Sequence, residues 1–299
     1  MINLADPRIG SKVIFKTDDF FAAVHRILNI ETPVFKDGLF DKHGKWMDGW
    51  ETKRKRGKGY DYLILKLGRP GRISKIDIDT SYFSGNQPSK VSLHACFSKK
   101  KLPNKNSKWT TILKKKPTKA NSHHFFNVTN KSIFTHVKLN IYPDGGVARI
   151  RIYGSIEILK NFTGKVLNLT SVLHGATPIA CNNEHFGRAE NILAPGMGKN
   201  MGDGWETRRS RGKNFDWLII KCAMTGKISK IQIDTHHFKG NYPDKCSLQA
   251  ANLNAKISSK TIVSRSKKWK LLLNKVKLYA HKKHNFQNKL MKNKKVNYI

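Results

Sequence analysis

Acidic residues are scarce in this 299-residue chain: 20 Asp and Glu stand against 57 Lys and Arg, a formal charge of +37. Such an excess by itself points to a polyanionic partner. It is mostly lysine, however, and it accompanies abundant asparagine and isoleucine, the combination that codon drift in an AT-rich genome produces. It is also uneven, since no acidic residue follows Asp244 while 15 Lys or Arg do. The basic runs Lys99-Lys100-Lys101, Lys114-Lys115-Lys116 and Lys292 to Lys295 lack interleaved aromatics and read as solvated loops, so nucleic acid is not the expected partner. Cysteine is equally sparse. Cys96, Cys181, Cys222 and Cys246 lie far apart, with no C-x-x-C pair and no histidine at zinc-ligand spacing beside them, which excludes a disulfide scaffold and leaves reduced core thiols.

Long apolar runs are also missing. No window approaches 18 consecutive apolar residues, and the segment from Met1 to Pro7 has neither a basic nor an apolar leader region. The chain is therefore expected to be cytoplasmic, neither membrane-spanning nor secreted. No G-x-G-x-x-G or Walker A pattern occurs, and Gly196-Met197-Gly198 has no strand-to-helix context, which argues against a nucleotide cofactor. No G-x-S-x-G elbow anchors a serine hydrolase triad. Hydrophobic residues at 38% and aromatics at 10% nevertheless exclude wholesale disorder.

What the chain does have is a duplication with a period of about 155 residues. The segment "DGWETKRKRGKGYDYLILKLGRPGRISKIDIDTSYFSGNQPSKVSLHA" (48–95) aligns without a gap onto "DGWETRRSRGKNFDWLIIKCAMTGKISKIQIDTHHFKGNYPDKCSLQA" (203–250), with more than half of the positions identical. After a five-residue slip the match resumes at Trp109 with Trp269, His124 with His284 and Phe126 with Phe286; upstream, Phe21 pairs with Phe186. Two repeats are expected, 1–160 and 166–299, with a linker near Leu159 to Lys165. Within each, the apolar pattern has period two: Val137, Leu139 and Ile141 alternate with Lys138 and Asn140, and Ile150 and Ile152 alternate with Arg149 and Arg151. Gly, Pro and Asn punctuation falls between such runs, at Arg69-Pro70-Gly71, at Ser84 to Pro88 and at Pro143 to Gly146. The fold class is all-β, two tandem sandwiches, and only Phe20 to Leu28 reads as briefly helical.

The densest chemistry lies in Asp48-Gly49-Trp50-Glu51-Thr52 with Arg54 and Arg56, copied as Asp203-Gly204-Trp205-Glu206-Thr207 with Arg209 and Arg211. Arginine presents a rigid donor fork that matches a carboxylate, and glutamate serves as acceptor or general base, so the block suits a small polar anion with amide-like groups. The plainer alternative makes Trp50 a core plug and pairs Glu51 with Arg54 across two loops. Asp144 and Arg149 flank the turn Pro143 to Gly146, where sites are commonly built on a rigid sheet. His123-His124 and His236-His237 are neighbours on strands, so one member of each pair at most joins a given site. His236-His237 is replaced by Ser81-Tyr82 in the first repeat, which excludes a symmetric metal site there. His124 and His284 do correspond, and a divalent metal at that pair stays open beside a packing role.

With these residues in view, the chain resembles the allantoicase family. It is similar in "LADPRIGSKVIFKTDDFFA", "KWMDGWETKRKRGKGYDYLILKLG", "THVKLNIYPDGGVARIRIYG", "EHFGRAENILAPGMGKNMGDGWETRRSRGKNFDWLIIK" and "IDTHHFKGNYPDKCSLQA", over nearly all of residues 3 to 286. The resemblance implies two jelly-roll sandwiches of galactose-binding-like type, a homo-oligomer, and hydrolysis of allantoate to ureidoglycolate and urea. On that reading Arg54 or Arg56, or else Arg209 and Arg211, clamps the substrate carboxylate. Glu51 or Glu206 is the acid/base, Asp144 accepts ureido N–H bonds, and Trp50 and its copy Trp205 exclude water; Arg149 joins the substrate-binding set. The family's "AEN" stands as Ala189-Glu190-Asn191 in the second repeat but as Val24-His25-Arg26 in the first. A second copy of "HVKLNIYPDGGVARIRIYG" is due near position 296, where the chain instead runs through Asn288 to Lys295. The second sandwich is thus expected to lack its last strands, by frameshift or truncation in an A-rich tract. Two rival readings are a non-catalytic jelly-roll module for carbohydrate or polyanion, and an inactive truncated member of the family.

Overall fold

The computed structural model describes every residue except 105, 159–161, 163, 211, 213, 254–256, 288 and 293. Arg211, much of the expected linker (159–161 and 163), and positions 288 and 293 of the A-rich tract therefore lie outside the described residues. The chain divides into two units, Met1–Asn161 and Phe162–Ile299. No described helix is long and apolar enough to cross a membrane.

In the first unit the strands are β1 (Ile2–Asn3), β2 (Lys12–Lys16), β3 (Phe40–Asp41), β4 (Gly44–Lys45), β5 (Trp50–Glu51), β6 (Asp61–Asp79), β7 (Lys90–Cys96), β8 (Thr110–Pro117), β9 (His123–Asn127), β10 (Ile133–Tyr142), β11 (Gly146–Val147) and β12 (Arg149–Ile156). The first half of β6 lies between β2 and β10, and β7 and β8 follow outward. Its second half lies between β12 and β9, with β1 beyond β12. All these pairings are antiparallel. Alternation along each strand turns Leu63, Leu65, Val137, Leu139, Leu93, Ile76, Ile78, Ile150 and Ile152 into one buried cluster. Each such side chain withdrawn from water contributes roughly 1.5–3 kcal/mol.

Arg69-Pro70-Gly71 reads in the sequence as punctuation between strands, yet it lies inside β6. The ladder tolerates the proline because Lys66 faces His136 and Gly71 faces Phe134, so residues 67–70 form an irregularity of β6 in which Pro70 has no residue of β10 opposite it. The helical expectation over Phe20 to Leu28 is met by one short 3-10 segment, Val24–Leu28.

The second unit contains β13 (Thr177–Cys181), β14 (Leu218–Gly226), β15 (Ile231–Asp234), β16 (Lys245–Ala250), β17 (Lys270–Lys277), β18 (Lys283–Phe286) and β19 (Val296–Tyr298). Its registers repeat those of the first. Thr177 faces Lys221 as Lys12 faces Lys66, Leu248 faces Leu273 as Leu93 faces Leu113, and His284 faces Ile233 as His124 faces Ile78. Strand β19 pairs with β14 as the start of β10 pairs with β6: Val296 and Tyr298 face Gly226 and Lys221 as Phe134 and His136 face Gly71 and Lys66. The sequence match does not reveal this strand, because its three residues share no identity with their counterparts. Helix α1 (Ser259–Ser266), capped by the Ser258 side chain accepting from the Thr261 N–H, has no copy among the described residues of the first unit. It occupies the five-residue slip and buries Ile262 against Trp269 and Tyr298.

Candidate active site

The block around Trp50 is a two-residue strand held on both sides. Gly146 and Val147 of β11 face Glu51 and Trp50, and Ala22 exchanges backbone hydrogen bonds with Glu51 from the other side. The approach is so close that a Cβ on Gly146 would stand 1.9 Å from the Phe83 ring, and one on Gly49 would stand 2.6 Å from the Val147 carbonyl oxygen. Glycine is required at both positions for that reason. Trp50 is fully buried and donates from Nε1 to the Asp18 carbonyl at 2.8 Å. It is a plug beneath the site, which corrects the expectation that its indole walls off the substrate from water.

Glu51 emerges from this frame only 9% exposed. Its Oε1 accepts a hydrogen bond from Asn86 Nδ2 at 2.8 Å. Burial pushes its carboxyl above the ordinary carboxylate range and the charge of Asp144 adds to the rise, while the Asn86 donor and the Arg54 guanidinium oppose it. Asp144 is fixed in turn, since its Oδ2 accepts the Lys55 backbone N–H at 2.5 Å, and the Lys55 ammonium reaches the buried Asp61 carboxylate at 2.8 Å. Glu51, Arg54, Asp144 and Asn86 are therefore brought together. Arg54 and Arg56 are both exposed on the loop that Lys55 pins.

Arg149 is not available to a substrate. It is 2% exposed. Its Nη2 donates to the Asp48 carboxylate at 2.6 Å, Nη1 to the carbonyls of Asp48, Ala148 and Arg26, and Nε to the carbonyl of Glu31. The guanidinium is a buried tie between the hook that carries Glu51 and the loop before it. This corrects the substrate-binding expectation for Arg149: the alternation that places Ile150 in the core turns Arg149 onto the opposite face, where the 26–34 segment covers it.

The second unit rebuilds part of the arrangement, the tryptophan, the glutamate and its asparagine; none of its described residues takes the place of β11, Asp144 or Arg149. Trp205 Nε1 donates to the Asn183 carbonyl at 2.8 Å, Gly187 exchanges backbone bonds with Glu206, and Asn241 Nδ2 donates to Glu206 Oε1 at 2.6 Å. Trp205 and Glu206 are half-buried and Arg209 is exposed. The 3-10 segment Ala189–Leu193 replaces Val24–Leu28. Asn191 donates to the Gly202 carbonyl at 3.0 Å, and Arg26 in the first unit donates to the equivalent carbonyl of Met47 at 2.9 Å. The departure from "AEN" thus keeps the bond with a longer side chain.

Sequence reasoning misses Asn86 and Asn241. The signal was available in the paired Gly-Asn of "SGNQP" and "KGNYP", which reads as turn punctuation until the fold brings it to the glutamates.

His124 and His284 are not placed to ligate a metal. His124 Nδ1 bonds the Ile78 carbonyl and Nε2 accepts the Lys119 N–H; His284 does the same with Ile233 and Tyr279. With both ring nitrogens committed to backbone, each imidazole braces the turn before its own strand. Among the described residues no group of three or more His, Cys, Asp or Glu is arranged to hold a metal ion. Substituting either histidine by alanine is expected to lower the unfolding free energy by about 1–3 kcal/mol, the cost of buried backbone groups left unpaired, as read by urea denaturation.

Comparison with known proteins gives the family. The family model described as the allantoicase repeat matches residues 2–157 and again 167–299. A protein of Photobacterium profundum described as "Probable allantoicase" is 46% identical over 282 residues, covering 94% of this chain and 85% of its own length. A protein of Pseudomonas fluorescens with the same description is 47% identical over 287 residues, covering 95% and 86%. The crystal structure of allantoicase from Saccharomyces cerevisiae superposes with a TM-score of 0.84 at 31% identity, covering 99% of this chain and 87% of that one. Matched by the family model in both units and by these relatives along almost its whole length, the chain belongs to the allantoicase family.

Proposed function

We propose that the chain hydrolyses allantoate to ureidoglycolate and urea, with Glu51 as the acid/base residue of the first unit and Glu206 as its counterpart in the second. Allantoate carries one carboxylate and two ureido groups on a single carbon. Losing urea breaks the C–N bond to one ureido nitrogen, which takes a proton, while the oxygen of a water bonds to that carbon and gives up a proton. A carboxyl that is protonated nearer neutrality than usual can supply the first proton and recover the second. The observation that carries this reading is the buried Glu51 held by Asn86 beside Arg54 and Asp144, with the glutamate–asparagine pair repeated in the second unit. Arg54, and Arg209 in the copy, offers an exposed guanidinium for the substrate carboxylate; Arg56 and Arg211 are the alternates. Asp144 is suited to accept a ureido N–H. Trp50 and Arg149 act behind these groups by fixing the hook.

In keeping with the resemblance, the protein is taken to work in the cytoplasm as a homo-oligomer on a small-molecule substrate, and basic runs without interleaved aromatics lend no support to a nucleic-acid role. Purified protein is expected to release urea from allantoate and not from allantoin. A folded chain that releases urea from neither would favour the binding-module reading and overturn this one.

A further inference from the structure

The first unit carries a cavity of about 480 Å³ that shares no residue with the Glu51 site. Its floor is the outward face of β10. Leu139 and Ile141 point into the core, so Lys138, Asn140 and Tyr142 turn the other way. Around them stand Tyr60, His94, Trp109 and Lys115.

Three features define what fits. The Lys115 ammonium lies 3.9 Å over the Tyr142 ring and that of Lys138 lies 4.0 Å over Tyr62, so two cations are held at the wall, and among the described residues neither is ion-paired with a carboxylate. The Trp109 indole has no ring or cation partner among the described residues. Asn140 is 2% exposed; its Nδ2 donates to Ser92 Oγ at 2.9 Å, and that hydroxyl bonds the Tyr142 hydroxyl, yet its buried Oδ1 has no partner. A buried acceptor left unpaired is costly and calls for a donor.

We propose that this cavity binds a flat heterocyclic acid bearing N–H groups. Its negative charge meets Lys115 and Lys138, its ring stacks on Trp109, and one N–H is given to Asn140 Oδ1. Burial holds the Lys138 ammonium below its ordinary pKa, and an anion beside it reverses that effect. Allantoate is acyclic and built on a tetrahedral carbon, so it presents no ring to the indole. The occupant is a second ligand, distinct from the substrate of the Glu51 site.

Calorimetric titration with orotate tests this, since orotate is flat, anionic and carries N–H groups. Orotate is expected to bind, with Trp109→Ala and Lys138→Met each weakening it about tenfold while urea release measured without orotate stays at the wild-type rate. Benzoate, which lacks N–H, and uracil, which lacks the charge, are each expected to bind more weakly than orotate. In the wild-type protein the Trp109 indole N–H resonance should shift on titration, which keeps the test valid if a variant fails to fold. No binding of orotate at about 5 mM, an unmoved Trp109 resonance, wild-type affinity in both folded variants, or tighter binding of the non-planar galacturonate would each overturn the proposal.

Discussion

Glu51→Gln is expected to cut urea release by the first unit's site about 10²–10⁴-fold, the usual contribution of a positioned acid/base group. The glutamine Oε1 can still accept from Asn86, so the geometry of the hook survives and the loss falls on kcat more than on KM. Because the second unit repeats the glutamate–asparagine pair, the full effect is read in the Glu51→Gln, Glu206→Gln double variant; near-normal turnover there would sink the acid/base assignment. The pH profile supplies a sharper signature. If Glu51 donates the proton, activity falls as pH rises through its raised pKa. Asn86→Ala removes a donor that favours the carboxylate, so it moves that alkaline limb to higher pH. Stability moves in the same window. The folded carboxyl holds its proton to higher pH than the unfolded one, so its contribution is fully present below the unfolded pKa and is lost as pH rises through the folded pKa. Thermal melts of Glu51→Gln should therefore decline less than those of the wild type between acid and neutral pH.

Arg149→Met is expected to destabilise the first unit by about 3–5 kcal/mol, since it strands the buried Asp48 carboxylate without its cation. Four carbonyl oxygens, of Arg26, Glu31, Asp48 and Ala148, lose a donor at the same time. Asp48 also accepts the Val34 N–H at 3.0 Å, so the segment before the hook loosens with it. Arg149→Lys should recover little, because a single ammonium cannot reproduce the fork. Adding Asp48→Asn to Arg149→Met should recover part of the loss by removing the stranded charge, and a urea denaturation series on the four proteins measures it. An unfolding free energy for Arg149→Met within about 0.5 kcal/mol of the wild type would contradict the tie described for this residue.

Much of the fold is legible in the sequence, because a gapless duplication and period-two alternation are direct prints of two antiparallel sandwiches. Glu51 and Asp144 stand out as candidates for a related reason: a carboxylate inside a repeated block or beside a tight turn is conspicuous. What the pattern could not give is the direction of burial. Trp50 and Arg149 look like site residues because of their chemistry, and only the covering segments at Asp18 and at Glu31 turn them into supports. Asn86 is hidden by the opposite error, since a Gly-Asn pair in a loop signals a turn whether or not its amide has a further partner. Helix α1 escapes because eight residues with one buried side chain, Ile262, leave too short a stripe to read. Pro70 misleads because β6 carries extra residues between Lys66 and Gly71 opposite β10, and an interruption of pairing inside a continuous strand makes a proline acceptable there.

That long strand has a mechanical meaning. In the first unit β6 runs unbroken from Asp61 to Asp79 and is an inner strand of both sheets, whereas the second unit divides the same stretch into β14 and β15, with residues 227–230 between them. Peeling one sheet from the first unit pulls on the spine of the other, which couples the two layers into one unfolding unit. Among the described residues of the second unit no strand is shared in that way, so its layers rely more on side-chain packing to melt together.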